Sequence, residues 1–368
     1  MPDQSTILLA AGGTGGHLFP AEALAQELLD RGHKIIIVTD KRGNAFKSLG
    51  DKVEIHTVKA ATLKAGIVSK IKAVADMGIG ILQSAVLLRK VKPAVIVGFG
   101  GYPSFPAVFA GQWMKIPTIL HEQNAVLGKA NVWLADKAVQ IATSLPGTKG
   151  IKPANESKVV TTGNPVRAGI IAVRDSAYQS PQGEMRIFIT GGSQAARVFS
   201  DIVPDAIQKL PGDMQKKLYI VHQVREDAIG DTEKKYRMAG IRSEIKSFFS
   251  DMPERLKTCH LFIGRAGAST VAEIATVGRP AIFVPYPGHT DMQQKHNAEV
   301  ISSKGGGWVM LQDNFTAEAL AEKLKDFMQN PATLQDAAAA CKSCGHPEAA
   351  KNLADLVEQK INALQQKV

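Results

Sequence analysis

Short, almost wholly apolar runs alternate along this chain with longer segments whose apolar residues recur every three or four positions. The first kind predicts strands buried on both faces, the second helices with one buried face, and their alternation predicts parallel sheets. In the first half, residues 6–11, 34–39, 94–98 and 118–121 read as strands, with helices over 19–31 and 104–114. The pattern restarts at 186–190 and continues through 218–222, 261–264 and 281–285. Two α/β domains of similar plan follow. Each opens on a strand that runs into a glycine turn, Gly12-Gly13-Thr14-Gly15-Gly16 in one and Gly191-Gly192-Ser193 in the other. Gly163-Asn164-Pro165 is a strong turn signal between them. Residues 333–344 and 348–364 read as helices, the first rich in alanine.

Composition narrows the class. The 368 residues, 45% hydrophobic and 21% charged, supply core material for two domains and exclude a disordered or fibrous chain. Three cysteines, an odd number, do not make a disulfide framework and fit a reducing compartment. Cys341-x-x-Cys344 lacks the second pair of a zinc site and reads as two unpaired thiols. Residues 1–16 hold Asp3 where a secretory leader would be basic, so no leader is expected. The uncharged stretch 93–114 is long enough to span a bilayer, but prolines and glycines punctuate it, and it reads as strand, turn and helix.

Charge adds a surface. Lysine and arginine outnumber aspartate and glutamate 44 to 34, and residues 1–166 hold 19 of the basic groups against 11 acidic ones. Within 59–92, Lys59, Lys64, Lys70, Lys72, Arg89, Lys90 and Lys92 face only Asp76 and are interleaved with Ile, Leu and Val. Such a segment suits an anionic membrane surface, or else a core helix with a solvated basic face. Nucleic acid as a partner would need a recognition motif, which is missing.

Chemistry concentrates at strand ends, where open parallel sheets bind ligands. The first glycine turn would aim backbone N–H groups and a helix dipole at an anion such as a diphosphate. It is neither a Walker loop nor a good dinucleotide fingerprint, since Leu18 stands where a third glycine belongs, although Asp40 is placed like a ribose-binding acid. His17 beside a diphosphate is a candidate general base, or a side chain that only bonds the loop. Gly98-Phe99-Gly100-Gly101-Tyr102-Pro103-Ser104 and His121-Glu122-Gln123-Asn124 are polar clusters that either meet a ligand or cap helices. Gly264-Arg265-Ala266-Gly267-Ala268-Ser269-Thr270 is a second anion-ready helix start, with Glu273 a candidate for ribose hydroxyls or ordinary dipole chemistry. His289, Asp291, Gln293, Gln294, His296 and Asn297 form a polar run in which adjacent glutamines suit sugar hydroxyls. No Asp-x-Asp or His-Glu-x-x-His occurs, so no metal is expected.

These segments, together with Gly163-Asn-Pro-Val-Arg167, Gly191-Gly-Ser-Gln194 and Asp291-Met-Gln-Gln294, occur in the order and spacing of one family over nearly the whole chain. The chain resembles the membrane-associated N-acetylglucosaminyltransferases of bacterial peptidoglycan synthesis. That resemblance implies the α/β GT-B fold, two Rossmann-like domains facing across a cleft. Residues 1–166 would be the acceptor and membrane-associating domain, with a helix at about 347–368 packing back on it, and 167–346 the UDP-N-acetylglucosamine domain. It implies inverting transfer of N-acetylglucosamine to the C4 hydroxyl of the muramoyl sugar of lipid I, giving lipid II, without metal or other cofactor. It implies a peripheral position on the cytoplasmic face of the plasma membrane, no nucleic acid, and wall-synthesis proteins as partners by analogy.

By the same resemblance, Ser193 would hold the donor phosphates, Arg167 would lie near the nucleotide, and Phe248 and Phe249 would flank the uracil. Ala268, Ser269, Thr270, Val271 and Ala272 would present the backbone of a helix start, Glu273 would bind ribose, and Gln293 and Gln294 the sugar. Thr14, Gly15 and Gly16 would cradle the acceptor diphosphate, with Tyr102, His121 and Asn131 shaping the acceptor side and Asn124 serving both substrates. His17 would be the general base and Glu122 its competitor. One departure stands out: the family usually has glycine at the position of Ala195, and an alanine already inside a helix would be tolerated there. The rival readings are another GT-B enzyme such as a sugar-nucleotide 2-epimerase, a dehydrogenase, and a non-catalytic basic binder.

Overall fold

The computed structural model describes residues 4–40, 43–61, 67–192, 195–288 and 291–366. It divides the chain into two compact units, Met1–Arg167 with Glu348–Val368, and Ala168–Pro347.

The first unit follows the order β1 (Thr6–Ala10), α1 (Gly15–Asp30), β2 (Lys34–Thr39), β3 (Val53–Thr57), α2 (Ile67–Val91), β4 (Val95–Gly98), α3 (Gly101–Trp113), β5 (Thr118–Glu122), α4 (Lys129–Leu134), β6 (Gln140–Thr143) and β7 (Val159–Thr161). Its strands pair in parallel in the order β3-β2-β1-β4-β5-β6-β7. Ile7, Leu9, Ile35, Ile37, Val95 and Val97 pack on the face covered by Leu24 and Leu28 of α1. Leu8, Ile36 and Ile96 pack on the other face with Leu88 of α2 and Val108 of α3. Burial on both faces is why these strands are continuous apolar runs.

The second unit contains α5 (Ala168–Ala172), β8 (Met185–Thr190), α6 (Arg197–Gln208), α7 (Gly212–Gln215), β9 (Leu218–Gln223), α8 (Ile229–Met238), β10 (Arg242–Lys246), α9 (Met252–Thr258), β11 (Leu261–Gly264), α10 (Ala268–Val277), β12 (Ala281–Phe283), α11 (Gln293–Ser302), β13 (Gly307–Val309), α12 (Ala317–Gln329) and α13 (Pro331–Lys342). Its parallel sheet runs β10-β9-β8-β11-β12-β13 around a core that includes Ile187, Ile189, Phe199, Ile220, Ile263 and Leu324. Each sheet reverses its strand order beside its first strand, at β1/β4 and β8/β11, the switch point where such sheets bind ligands.

The last helix, α14 (Ala349–Gln365), belongs to the first unit. Its Leu353, Ala354 and Val357 are fully buried in the same core as Leu24 and Leu28. Arg31 donates to Asp355 at 2.6 Å and Glu358 at 2.7 Å, and His33 Nε2 to Glu358 Oε1 at 2.9 Å.

Two details differ from the sequence expectation and one agrees with it. The first helix begins at Gly15 rather than Phe19 and carries Pro20 inside it, because the apolar periodicity that marks a helix is absent from its glycine-rich first turn. As a result Gly15, Gly16 and His17 form its first turn. The stretch 93–114 is β4, a turn and α3, as the punctuation implies. The basic segment is the long helix α2, but its outer face is not simply basic. Ile71, Val74, Leu82 and Val86 are 66%, 66%, 65% and 66% exposed, among exposed Lys70, Lys72, Arg89 and Lys90. Lys64 lies outside the described residues.

Candidate active site

In the first unit, the turn from β1 to α1 and the turn from β4 to α3 are built against each other. A Cβ on Gly12 would fall 2.5 Å from Pro103 Cβ, and one on Gly101 would fall 3.3 Å from His17 Nε2, so both positions need glycine for close approach. Thr14 is the N-cap of α1 without a side-chain capping bond, and no acidic residue occupies the first turn. The positive end of the helix is therefore not neutralised by its own side chains, which suits a phosphate. Tyr102 is half-buried in the first turn of α3.

Behind this turn stands a chain of hydrogen bonds from the end of β5. His17 Nδ1 is 2.9 Å from Gln123 Oε1, and Gln123 Nε2 is 2.9 Å from His121 Nδ1 and 3.1 Å from His121 O. His121 Nε2 reaches Gly163 O at 3.2 Å. His121 is fully buried, and burial pushes its pKa down to about 4.

Glu122 is also buried, and its carboxylate is saturated. Oε1 accepts from the backbone and side-chain nitrogens of Asn124 at 3.0 and 3.1 Å, and Oε2 from Gly128 N at 2.8 Å and Asn131 Nδ2 at 2.9 Å. Such a carboxylate fixes the loop from Asn124 to Asn131 and has little lone-pair capacity left for a substrate proton. Asn131 Oδ1 and the whole amide of Asn164 are buried with no partner among the described residues, which leaves unmet polar groups next to these turns.

Arg167 was expected near the nucleotide. Its guanidinium lies 4.2 Å from the centre of the Phe19 ring, so it packs with α1 in the first unit.

In the second unit, Thr190 donates to Gln223 Oε1, Gly192 N donates to Thr190 Oγ1 at 3.1 Å, and Gln223 Nε2 donates to Ser247 O at 3.1 Å. These bonds tie the ends of β8 and β9 to the segment after β10, beside Phe248. Ser193 and His289 lie outside the described residues. Ala195 is not inside the helix as expected: α6 starts at Arg197, and Ala195 precedes it with φ of +50°. The left-handed backbone there explains the preference for glycine.

The two phenylalanines diverge. Phe248 is 66% exposed, whereas Phe249 is 3% exposed and packs edge-on against Phe188 with ring centres 5.7 Å apart. The ring of Phe249 is spent on the core, which leaves only Phe248 open to a planar ligand.

Helix α10 begins after Gly267, an N-cap without a side chain, and its first turn has no acidic residue. Its first N–H groups, from Ala268 to Thr270, lack intrahelical acceptors. Val271 N already donates to Gly267 O at 2.9 Å, and Val271 and Ala272 lie beyond the anion-ready turn. Glu273 is buried one turn further in.

Asn297 of α11 donates to Ala266 O at 3.2 Å, which brings the start of α11 toward that of α10. Gln294 Oε1 accepts from Tyr286 N at 3.0 Å, so its amide nitrogen is the end left for a ligand. Gln293 N is capped by Asp291 at 3.2 Å. Arg265 donates to Val284 O at 2.9 Å and Pro285 O at 3.0 Å, fixing the turn after β12. Among the described residues no group of three or more His, Cys, Asp or Glu gathers as a metal site.

Thr190 and Gln223 stand in no motif of the sequence, and Gln123 only as one member of the cluster His121–Asn124. Their signal is a polar residue closing an otherwise apolar strand, a position that has to be hydrogen-bonded if it is buried.

Anion-ready helix starts at the switch points of two parallel sheets make a plan for phosphorylated ligands, and sequence comparison gives the class. Residues 7–143 match the glycosyltransferase family 28 N-terminal domain, and 186–353 match its C-terminal domain. The chain belongs to glycosyltransferase family 28 and is an enzyme, so the dinucleotide reading of the first glycine turn and Asp40 falls away.

Within that family it is 50% identical over 353 residues, 95% of this chain and 93% of the relative, to the UDP-N-acetylglucosamine--N-acetylmuramyl-(pentapeptide) pyrophosphoryl-undecaprenol N-acetylglucosamine transferase of Rhodospirillum centenum. It is 44% identical to the protein of the same name from Paramagnetospirillum magneticum, over 95% of each chain. Among solved structures, the Acinetobacter baumannii MurG crystal structure superposes with a TM-score of 0.77 at 27% identity, covering 96% of this chain and 99% of that one.

Proposed function

We propose that this enzyme transfers N-acetylglucosamine from UDP-N-acetylglucosamine to the C4 hydroxyl of an N-acetylmuramoyl-pentapeptide carried on undecaprenyl diphosphate, with inversion at the anomeric carbon. The observation that carries the reading is the half-buried imidazole of His17 in the first turn of an uncapped, acid-free helix, in a chain half identical to a transferase of that name.

The start of α1, with Thr14, Gly15 and Gly16, binds the acceptor's diphosphate and brings the sugar hydroxyl to His17. His17 removes the hydroxyl proton as the oxygen attacks C1 of the donor sugar, and the bond from C1 to the diphosphate oxygen breaks with its electron pair leaving on UDP. The α10 start stabilises the charge that develops on the departing diphosphate. Glu273 takes the ribose, Phe248 the uracil face, and Gln293 with the amide nitrogen of Gln294 the sugar hydroxyls. Glu122 serves as a scaffold for the acceptor loop, since its oxygens are already occupied.

The undecaprenyl chain confines the acceptor to a bilayer, and the exposed apolar and basic face of α2 supports docking of the first unit on an anionic membrane surface.

The experiment is transfer of labelled N-acetylglucosamine from its UDP donor to a short-chain lipid-linked acceptor. Product formation with and without excess EDTA is expected. UDP binding without product, or exchange at C2 of the donor sugar, would replace this reading with another acceptor or an epimerase.

A further inference from the structure

Gln123 lies deep behind the first glycine turn, 2% exposed, between two histidines, and its orientation is fixed by atoms that have no choice of role. Backbone carbonyl oxygens only accept hydrogen bonds. Gln123 Nε2 is 3.1 Å from His121 O, so the nitrogen end of the amide belongs there. His121 Nε2 is 3.2 Å from Gly163 O, so that ring nitrogen carries the proton. A fully buried imidazole stays neutral, so His121 Nδ1 holds a lone pair and accepts from Gln123 Nε2 at 2.9 Å. The remaining end of the amide, Oε1, then faces His17 Nδ1 at 2.9 Å and can only accept. Turning the amide round would set Oε1 against His121 O, and a matching change of the His121 tautomer would set a lone pair against Gly163 O. Two repulsive contacts would replace two hydrogen bonds.

We propose that Gln123 is a positioning residue for the transfer: it holds His17 in the tautomer protonated on Nδ1, so that Nε2 presents its lone pair to the acceptor hydroxyl. The proposal rests on the reading of His17 as the general base. The proton that leaves the hydroxyl arrives on His17 Nε2, while Nδ1–H goes on donating to Gln123 Oε1. A neutral amide suits this task, because it sets the tautomer without pinning a positive charge on the ring before substrate binds. Glycine at position 101 keeps the Nε2 side open, since a Cβ there would stand 3.3 Å from it.

Two-bond proton–nitrogen NMR correlations of the full-length enzyme labelled with 15N-histidine read the tautomer directly. The neutral wild-type ring of His17 is expected to carry its proton on Nδ1. In Gln123→Leu that preference is lost, and kcat falls tenfold or more while KM for UDP-N-acetylglucosamine stays within twofold. A wild-type His17 protonated on Nε2 would overturn the proposal without any variant having to fold, and so would a folded Gln123→Leu enzyme with kcat within twofold of wild type. Near-normal turnover of His17→Ala is a different result: it would remove the base assignment, and the catalytic meaning of Gln123 with it, whatever tautomer is seen.

Discussion

Ala195 shows how a single methyl group reports on a backbone. With φ at +50°, its Cβ crowds the neighbouring carbonyl, a cost of about 1–2 kcal/mol that glycine does not incur. Ala195→Gly is expected to raise the stability of the second unit by about 1 kcal/mol, the relief of strain being partly offset by a more flexible unfolded chain. Urea denaturation checks it, and a loss of stability would show that the left-handed conformation is not strained. The same position marks where residue reading stops. The motifs name His17, Glu122, Glu273 and the two glutamines, because polar groups at strand ends and helix starts stand out against apolar runs. They do not tell which of two adjacent phenylalanines turns inward. That depends on the ring of Phe188 across the sheet. Nor do they separate Glu122 as a scaffold from Glu122 as a base, because the nitrogens that saturate it come from a loop whose path is set by tertiary structure.

Among the elements, central strands were legible and edge strands were not. β1, β2, β4, β5, β8, β9, β11 and β12 are apolar enough to be read directly, whereas β3 (Val53–Thr57), β7 (Val159–Thr161) and β10 (Arg242–Lys246) are edge strands with exposed polar positions. An edge strand has one neighbour and a partly solvated face, so its sequence lacks the continuous apolar run; charged edges also discourage pairing with other chains. β13 is the remaining edge strand, and β6, though central, begins on Gln140 and ends on Thr143, so it shows no continuous apolar run.

Helix α2 is the opposite case, more apolar than its surroundings require. It is long and apolar enough to cross a membrane by length and composition, yet it packs against α3 and leaves five large aliphatic side chains, those of Ile71, Val74, Ile79, Leu82 and Val86, in solvent. Replacing Ile71, Leu82 and Val86 together with serine is expected to cut binding to vesicles containing anionic lipid at least tenfold, with the fold and donor affinity retained. Each exposed side chain contributes roughly 1 kcal/mol or more of transfer free energy to a bilayer surface. Unchanged flotation with such vesicles would return this face to a merely solvated one.

At the scale of the whole molecule, two buried histidines make stability depend on pH. Burial holds His121 near a pKa of about 4 and His222 near about 3, against roughly 6.5 in the unfolded chain. Between those values the unfolded state binds protons that the folded state refuses. Stability is therefore full above about pH 6.5 and falls as pH drops toward 4, by about 1.4 kcal/mol per pH unit for each ring. His222→Gln, away from the proposed chemistry, is expected to lower stability at pH 7 through its lost bond to Tyr236 while flattening the decline below pH 6.5. Equal slopes in urea midpoints between pH 7 and 4.5 would refute the assignment of that decline to His222.

The return of α14 to the first unit has a consequence for how the polypeptide is made. Leu24 and Leu28 of α1 share their core with Leu353 and Val357, more than three hundred positions later, and Arg31 waits as long for Asp355 and Glu358. During synthesis the amino-terminal sheet and α1 emerge first, yet the core they share lacks Leu353, Ala354 and Val357 until α14 leaves the ribosome. The middle of the chain, whose core is drawn from its own stretch of sequence, is free to condense earlier. A chain cut before α14 is thus a folded second unit joined to a first unit whose α1 core is left partly open. Such a product is a natural target for chaperones and proteases, and translation through α14 becomes a condition for the first unit to exist in its finished form.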